Sequence, residues 1–295
     1  MKVALTGATG VLGGAIATAA LAAGHEVRAL VRDRDGREVD DSRVGIDWIS
    51  GGLEDADALD RLVDTADAIV HCAFADTEAT EAFVAANVVG TLRLLIRAGA
   101  TSLRRFIYVS SLAVYGKEPW LLPHADALPL DEDFPLWPRD FYGAHKIAME
   151  KMVIAGSGDP GLRTSAFRVG CVLGEYPSLE RNHIARFLAA ARDDGAIRER
   201  MGAYVIAADD AANILVDALG DTATTGLVIN TFDRWLDFAE LAGPIGAVLG
   251  REVSVECESA PPPHPALLRD RLAARQPAWT TDSTIRRLLS LQNPL

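Results

Sequence analysis

The chain has 295 residues, 49% of them apolar and 24% charged, a composition that fits one large or two smaller buried cores and excludes a disordered protein. Its 41 acidic and 29 basic residues give a net charge of -12, which repels phosphate backbones and argues against a nucleic-acid or anionic-membrane partner. Three scattered cysteines (Cys72, Cys171, Cys257) provide neither a disulfide framework nor a metal signature, and with no secretory h-region and no run approaching the roughly 20 apolar residues of a membrane span, the expected compartment is the cytoplasm.

In chain order, residues 2–5 read as a strand and 11–23 as an alanine-rich helix stopped by Gly24. A second strand follows at 26–31, a helix at 56–64 and a buried strand at 68–72. A long helix is expected over 80–98, a strand over 105–110, a helix over 141–154 and a strand over 164–169. This alternation predicts an α/β fold, a Rossmann-type doubly wound parallel sheet. Beyond Gly170 the pattern loosens: helices at 179–191, 209–219 and 238–249, a strand at 227–230, and a stiff proline connector at 261–265 before a helical tail. The expected division is a dinucleotide-binding domain over 1–168, returning around 209–232, and a smaller mixed substrate-binding region over 169–295.

Between the first strand and helix lies Thr6-Gly-Ala-Thr-Gly-Val-Leu-Gly13. Gly7 permits the tight turn, Gly10 lets the backbone approach a pyrophosphate, and Gly13 allows close helix–strand contact. The free amides at the helix start then face phosphate, which makes Thr6, Gly7, Thr9, Gly10, Val11, Leu12 and Gly13 candidate cofactor contacts. The second strand ends Val31-Arg32-Asp33, with Val31 where an acid would bind the ribose of NAD. Arg32 can clamp a 2′-phosphate, so NADP(H) is favoured over NAD(H). The alternative leaves Arg32 in solvent and gives an NAD ribose to Asp33.

Tyr142 and Lys146 are four residues apart in Tyr-Gly-Ala-His-Lys, so on a helix they share a face. A free phenol titrates at about 10, and lowering that by roughly three units takes on the order of 4 kcal/mol of differential stabilisation. A close ammonium plus an oxidised nicotinamide ring can supply it.

These pieces resemble the extended short-chain dehydrogenase/reductase family, the NAD(P)-dependent epimerase/dehydratase-like group, over most of the chain. Gly7, Gly10 and Gly13 match its glycine turn. Val70-His-Cys-Ala73 resembles the strand end that lines the cofactor, and Asn87-Val-Val-Gly-Thr91 its Asn-x-x-Gly-Thr helix segment. The segment from Phe106 to Gly116 resembles its Ser-Ser-x-x-Val-Tyr-Gly strand end, and Tyr142 with Lys146 its Tyr-x-x-x-Lys pair. The resemblance implies Ser111, Tyr142 and Lys146 as catalytic residues, with Leu53, Ala73, Asn87, Tyr142 and Lys146 also at the cofactor. Arg168 and Asp209-Asp210-Ala211 resemble later landmarks nearer the substrate. It further implies a homodimer, paired through helices 80–98 and 141–154. Three departures stand out: Gly51-Gly52-Leu53 lacks the usual acid near the adenine, His145 replaces the serine before the lysine, and Leu112-Ala113 follows Ser111 where dehydratases carry Asp-Glu. The last counts against a nucleotide-sugar 4,6-dehydratase.

The expected chemistry is hydride transfer to or from a small ketone, aldehyde or secondary alcohol, with Tyr142 as general acid–base. Segment 118–140, carrying Trp120, Phe134 and Trp137, is expected at the substrate entrance. His124, His183, Arg198 and Arg200 are weaker pocket candidates, Cys72 reads as a small strand residue, and His145 has no assigned role. A sugar epimerase and a non-catalytic dinucleotide-sensing regulator are the competing readings.

Overall fold

In a computed structural model the described residues are 1–32, 45–75, 80–116, 130–158, 161–175, 183–198, 202–258 and 279–291. The chain divides into two compact units. The first comprises Met1–Lys117, Pro135–Val169 and Ala212–Asn230; the second comprises Glu118–Phe134, Gly170–Ala211 and Thr231–Leu295.

The first unit is built on strands β1 (Lys2–Thr6), β2 (Glu26–Val31), β3 (Ile46–Ser50), β4 (Ala68–His71), β5 (Arg105–Ser111) and β6 (Arg163–Val169). With β10 (Val228–Thr231) they form a seven-stranded Rossmann-like sheet, ordered β10-β6-β5-β4-β1-β2-β3. The pairs from β3 to β6 are all parallel, as expected of strands joined by helical crossovers. Its helices are α1 (Val11–Ala22), α2 (Ala56–Val63), α3 (Thr80–Phe83), α4 (Gly90–Gly99) and α5 (Phe141–Ala155). Strand β4 is buried at all four residues and β5 at six of seven, since helices cover both faces of a parallel sheet. Leu30, Leu59, Leu62, Ile69, Leu94, Phe106 and Met149 are part of the core. The order reverses between β1 and β4, and the carboxyl ends of strands flanking such a reversal form the ligand crevice of open α/β sheets.

The long helix expected over 80–98 is not uniform: a π-helical segment, Val84–Val89, separates α3 from α4. Over Thr80–Gly99 the mean hydropathy reaches 1.4, long and apolar enough to cross a membrane by length and composition, contrary to the sequence expectation. The helical stretch buries Asn87, Gly90, Thr91, Leu94 and Ala98.

The second unit holds a three-stranded sheet, ordered β11-β9-β7, from β7 (Cys171–Leu173), β9 (Gly202–Ala207) and β11 (Arg234–Asp237). A two-stranded sheet pairs β8 (Ala196–Ile197) with β12 (Ser254–Val255). Helices α6 (His183–Asp194), α7 (Ala208–Gly220, continuing into the first unit), α8 (Ala242–Leu249) and α9 (Thr281–Leu291) complete it. Phe187, Leu188, Leu236, Ile245, Ile285 and Leu288 are among its core residues.

Candidate active site

Every residue predicted as catalytic or as a cofactor contact lies in the first unit. Gly7 follows β1 with φ +78°, and a Cβ there would lie 2.8 Å from the amide nitrogen of Ala73. A Cβ on Gly13 would overlap the carbonyl of Gly7. The turn therefore presses against both the end of β4 and its own helix, which only glycine allows. Helix α1 starts after Gly10 with no side-chain cap and no acid in its first turn, leaving amides and the positive end of the helix dipole for an anion. Thr9 and Gly10 are exposed and Val11 half-buried, whereas the Leu12 side chain is buried and offers only its backbone. Such a cradle fits a dinucleotide pyrophosphate. Arg32 is exposed just past β2, two residues beyond Leu30, which pairs with Thr6. Asp33 lies outside the described residues. Leu53 is buried in the core at 6% exposure.

Thr6 is fully buried at the centre of a directed hydrogen-bond chain. The Thr91 hydroxyl donates to the Asn87 carbonyl at 2.7 Å and has one proton only, so it accepts from His71 Nε2 at 2.8 Å. Nδ1 of the neutral ring then accepts from the Thr6 hydroxyl at 2.6 Å, and Thr6 Oγ1 accepts from the Ala73 amide at 3.1 Å. Burial lowers the His71 pKa to about 3, with Lys146 and His145 adding to the effect, so the neutral ring this chain requires is the stable form. Asn87 clamps the next residues by accepting from the Ala75 amide at 2.8 Å and donating to its carbonyl at 2.9 Å.

Helix α5 is capped by Asp140, whose carboxylate accepts from the Gly143 amide. A Cβ on Gly143 would sit 2.7 Å from the Ala113 carbonyl, so the first turn of α5 lies against the turn that follows Ser111. Ser111, at the end of β5, accepts from the Ala113 amide at 3.1 Å. Lys146 is buried at 3% exposure and donates to the Val109 carbonyl at 2.8 Å. Its ammonium lies 4.8 Å from the Tyr108 ring, 5.7 Å from the Tyr142 ring and 5.9 Å from the Phe74 ring. Burial lowers its pKa to about 8, opposed by Cys72 and Glu150. The Cys72 thiol is pushed up to about 11 by burial, which leaves it a poor nucleophile.

Sequence reasoning missed three sets of residues. Phe74 and His145 pack their rings against Tyr142, and Phe83 packs against both of them. His71 and Thr91 form the hydrogen-bond chain above. Glu150, one turn beyond Lys146, accepts from Ser110 Oγ at 2.5 Å and pairs bidentately with Arg168 at 3.0 and 2.9 Å. Arg168 also donates to the Tyr115 hydroxyl at 2.6 Å, which donates to Asn230 at 2.8 Å. Arg168, which the resemblance puts nearer the substrate, is 2% exposed and its charge is taken up by Glu150. Only the i, i+4 spacing of Lys146 and Glu150 signalled this in the sequence.

Of the weaker candidates, Arg198 is a surface residue paired with Asp194 and Glu256 at 2.8 and 3.0 Å. Phe134 is buried, in the second unit, and Trp137 is 48% exposed, in the first. Asp209 and Asp210 lie in the first turn of α7, the helix expected over 209–219, and Asp210 accepts from the Thr280 amide and hydroxyl. Trp120, His124, Arg200, the His183 side chain and segment 261–265 lie outside the described residues. Among the described residues no cluster of His, Cys and acids has the makings of a metal site.

The chain is 27% identical over 298 aligned residues to an uncharacterized Mycobacterium tuberculosis protein, covering 97% of this chain but only 29% of that protein. It is 34% identical over 181 residues to a Stigmatella aurantiaca 4-hydroxy-2-methyl-3-oxo-4-farnesyl-3,4-dihydroquinoline-1-oxide ketoreductase, covering 59% of this chain and 51% of the relative. A Mycobacterium tuberculosis 3 beta-hydroxysteroid dehydrogenase/Delta 5-->4-isomerase is 25% identical over 228 residues, 70% of this chain and 60% of the relative. The chain thus spans less than two thirds of each of these relatives. Among solved structures, a Thermus thermophilus UDP-glucose 4-epimerase in complex with NAD superposes with a TM-score of 0.79 at 19% identity, covering 99% of both chains. An Agrobacterium tumefaciens short-chain dehydrogenase/reductase superfamily protein with bound NAD gives 0.76 at 22% identity, over 98% of this chain and 96% of that one. Residues 3–221 match the NAD dependent epimerase/dehydratase family, and the chain belongs to it.

Proposed function

We propose that this chain is an NAD(P)-dependent oxidoreductase that interconverts a small ketone or aldehyde and the corresponding alcohol. The observation that carries the reading is the buried Lys146 beside Tyr142, on a helix packed against the strand end that bears Ser111. The glycine cradle at the β1–β4 crevice, with Thr6, Ala73 and Asn87 holding its far wall, would bind the dinucleotide. Bound there, the dinucleotide supplies or receives hydride. In the reducing direction Tyr142 gives its hydroxyl proton to the substrate oxygen as hydride reaches the carbonyl carbon. Ser111, whose oxygen already accepts from Ala113, has its own proton to donate to the same substrate oxygen. Lys146 holds positive charge beside the phenol, and exposed Arg32 favours the 2′-phosphate of NADP(H).

A second reading, a sugar epimerase, is favoured by similarity to a Corynebacterium glutamicum UDP-glucose 4-epimerase, 28% identical over 192 residues. One experiment separates them: a panel of ketones, aldehydes, alcohols and nucleotide sugars, assayed with NADPH and with NADH. The oxidoreductase consumes or produces reduced cofactor stoichiometrically, and an epimerase gives product with no net absorbance change. On the genuine substrate Tyr142→Phe should lower kcat by about 100-fold or more; undiminished turnover would remove Tyr142 from the mechanism. A clear preference for NADH would remove the role of Arg32.

A further inference from the structure

We propose that Phe74, Phe83 and His145 form an aromatic brace that fixes the ring of Tyr142, which makes Phe74 and His145 positioning residues for the acid–base group. The proposal rests on the oxidoreductase reading for what the brace serves, while the ring geometry stands independently of it.

Phe74 meets Tyr142 edge to face, with centroids 4.8 Å apart and planes at 80°. His145 is stacked on Phe74 at 5.4 Å and 26°. Phe83 closes the cluster edge-on, 5.2 Å from His145 at 89° and 5.8 Å from Phe74 at 75°. His145 also lies 5.6 Å from Tyr142. Each of the four rings thus touches at least two others, in the offset and T-shaped arrangements that aromatic quadrupoles favour.

The brace is anchored through its backbone. The Ala73 amide is tied to Thr6, and both polar groups of Ala75 are tied to Asn87, so Phe74 is held between two pinned residues. Phe83 lies one turn before Asn87 on the same helical stretch, and His145 one turn after Tyr142 on α5. Three separate segments therefore contribute to one ring cluster, in which Phe74 and His145 touch Tyr142 and Phe83 backs them.

The state of His145 supports a packing role. It is 7% exposed, and its imidazole lies stacked against the Phe74 ring. Burial, together with the neighbouring ammonium of Lys146, lowers its pKa to about 4, so it stacks as a neutral ring without adding charge beside that lysine. Serine, the residue usual in the family here, has no ring to stack.

The test needs no substrate for its first arm. The protein is labelled with 3-fluorotyrosine, and of its 5 tyrosines the Tyr142 fluorine signal is the one lost in Tyr142→Phe. Ring currents from Phe74 should displace that signal from the position of free fluorotyrosine. It should move toward the free position in Phe74→Ala, Phe74→Leu and His145→Ser, and stay displaced in His145→Phe. Phe74→Leu fills the space without a ring and serves if Phe74→Ala fails to fold. On a substrate from the panel, His145→Ser and the folded Phe74 variant should lose between about tenfold and 100-fold in kcat with KM unchanged. His145→Phe should restore kcat to within about twofold of wild type, since it keeps the ring and discards the nitrogens. A Tyr142 signal unmoved by loss of Phe74 overturns the brace. So does a His145→Phe enzyme as impaired as His145→Ser, which would show that the imidazole acts through a hydrogen bond. If Tyr142→Phe retains turnover, the acid–base reading fails, and the fluorine arm still decides whether the brace exists.

Discussion

Lys146 carries a positive charge into a site with little water, and the molecule should be less stable for it. The folded protein releases the lysine proton at about 8, whereas the unfolded chain holds it to the ordinary value of 10.5. Between these values the unfolded state binds more protons, so stability attributable to this group rises with pH through that window; below it the full desolvation cost remains. Lys146→Met fills similar space with an apolar chain. Its melting temperature should therefore exceed that of the wild type at pH 7, and the gap should close between pH 8 and pH 10.5. Turnover should fall by about 100-fold or more, because the charge beside the phenol is lost. Thermal melts at the two ends of the window check the first part; an unchanged or lower melting temperature at pH 7 would mean that the Val109 hydrogen bond outweighs desolvation.

On α5, Tyr142, Lys146 and Glu150 follow at four-residue steps and grip successive parts of the strand end: Lys146 holds the carbonyl of Val109, and Glu150 takes the hydroxyl of Ser110. The pair of Glu150 with Arg168 is 1% and 3% exposed, a setting in which desolvation rivals the attraction between the charges. Glu150→Ala alone should cost about 3–5 kcal/mol, since it strands a buried guanidinium. Glu150→Leu combined with Arg168→Met should cost much less than the sum of the single changes, because no uncompensated charge remains. Urea melts of the two single variants and the double variant measure this, and simple additivity would refute the coupling. Here the sequence was readable only in part. The spacing of Tyr142 and Lys146 is local, and so was visible. Ser110 and Glu150 are 40 positions apart, and Tyr115 and Asn230 are 115 apart, separations at which no periodicity reports a contact.

At the scale of the whole chain, the strands with strong local signals were legible: β1, β2, β4 and β5 are short apolar runs beside clear turns. Strand β3 was not, because Ile46–Ser50 is an edge strand with no buried residue, and an edge strand need not be an apolar run. Strands β7, β8, β9, β11 and β12 were missed, the first, second and last for want of length, and the π-helical segment because its composition is that of an ordinary helix. The glycine cradle was readable since its three glycines fall within eight residues between a strand and a helix; the rings around Tyr142 come from three segments, and so were not. The homodimer that the family resemblance implies would pair two helical stretches that carry exposed apolar side chains. Val84, Val89 and Ile96 on the long helical stretch are 43%, 37% and 69% exposed, and Phe141 and Met152 on α5 are 74% and 50% exposed. We expect a homodimer that buries them, and light scattering should give twice the 31.5 kDa chain mass; a monomer would refute the pairing. The chain from Thr91 through His71 to Thr6 has one more consequence. Each proton in it points the same way, like a row of turnstiles, and a second proton on the imidazole would have nowhere to enter without turning Thr6 around inside a sealed wall. Strong acid should therefore loosen the crevice where β1 meets β4 before it dissolves the sheet itself.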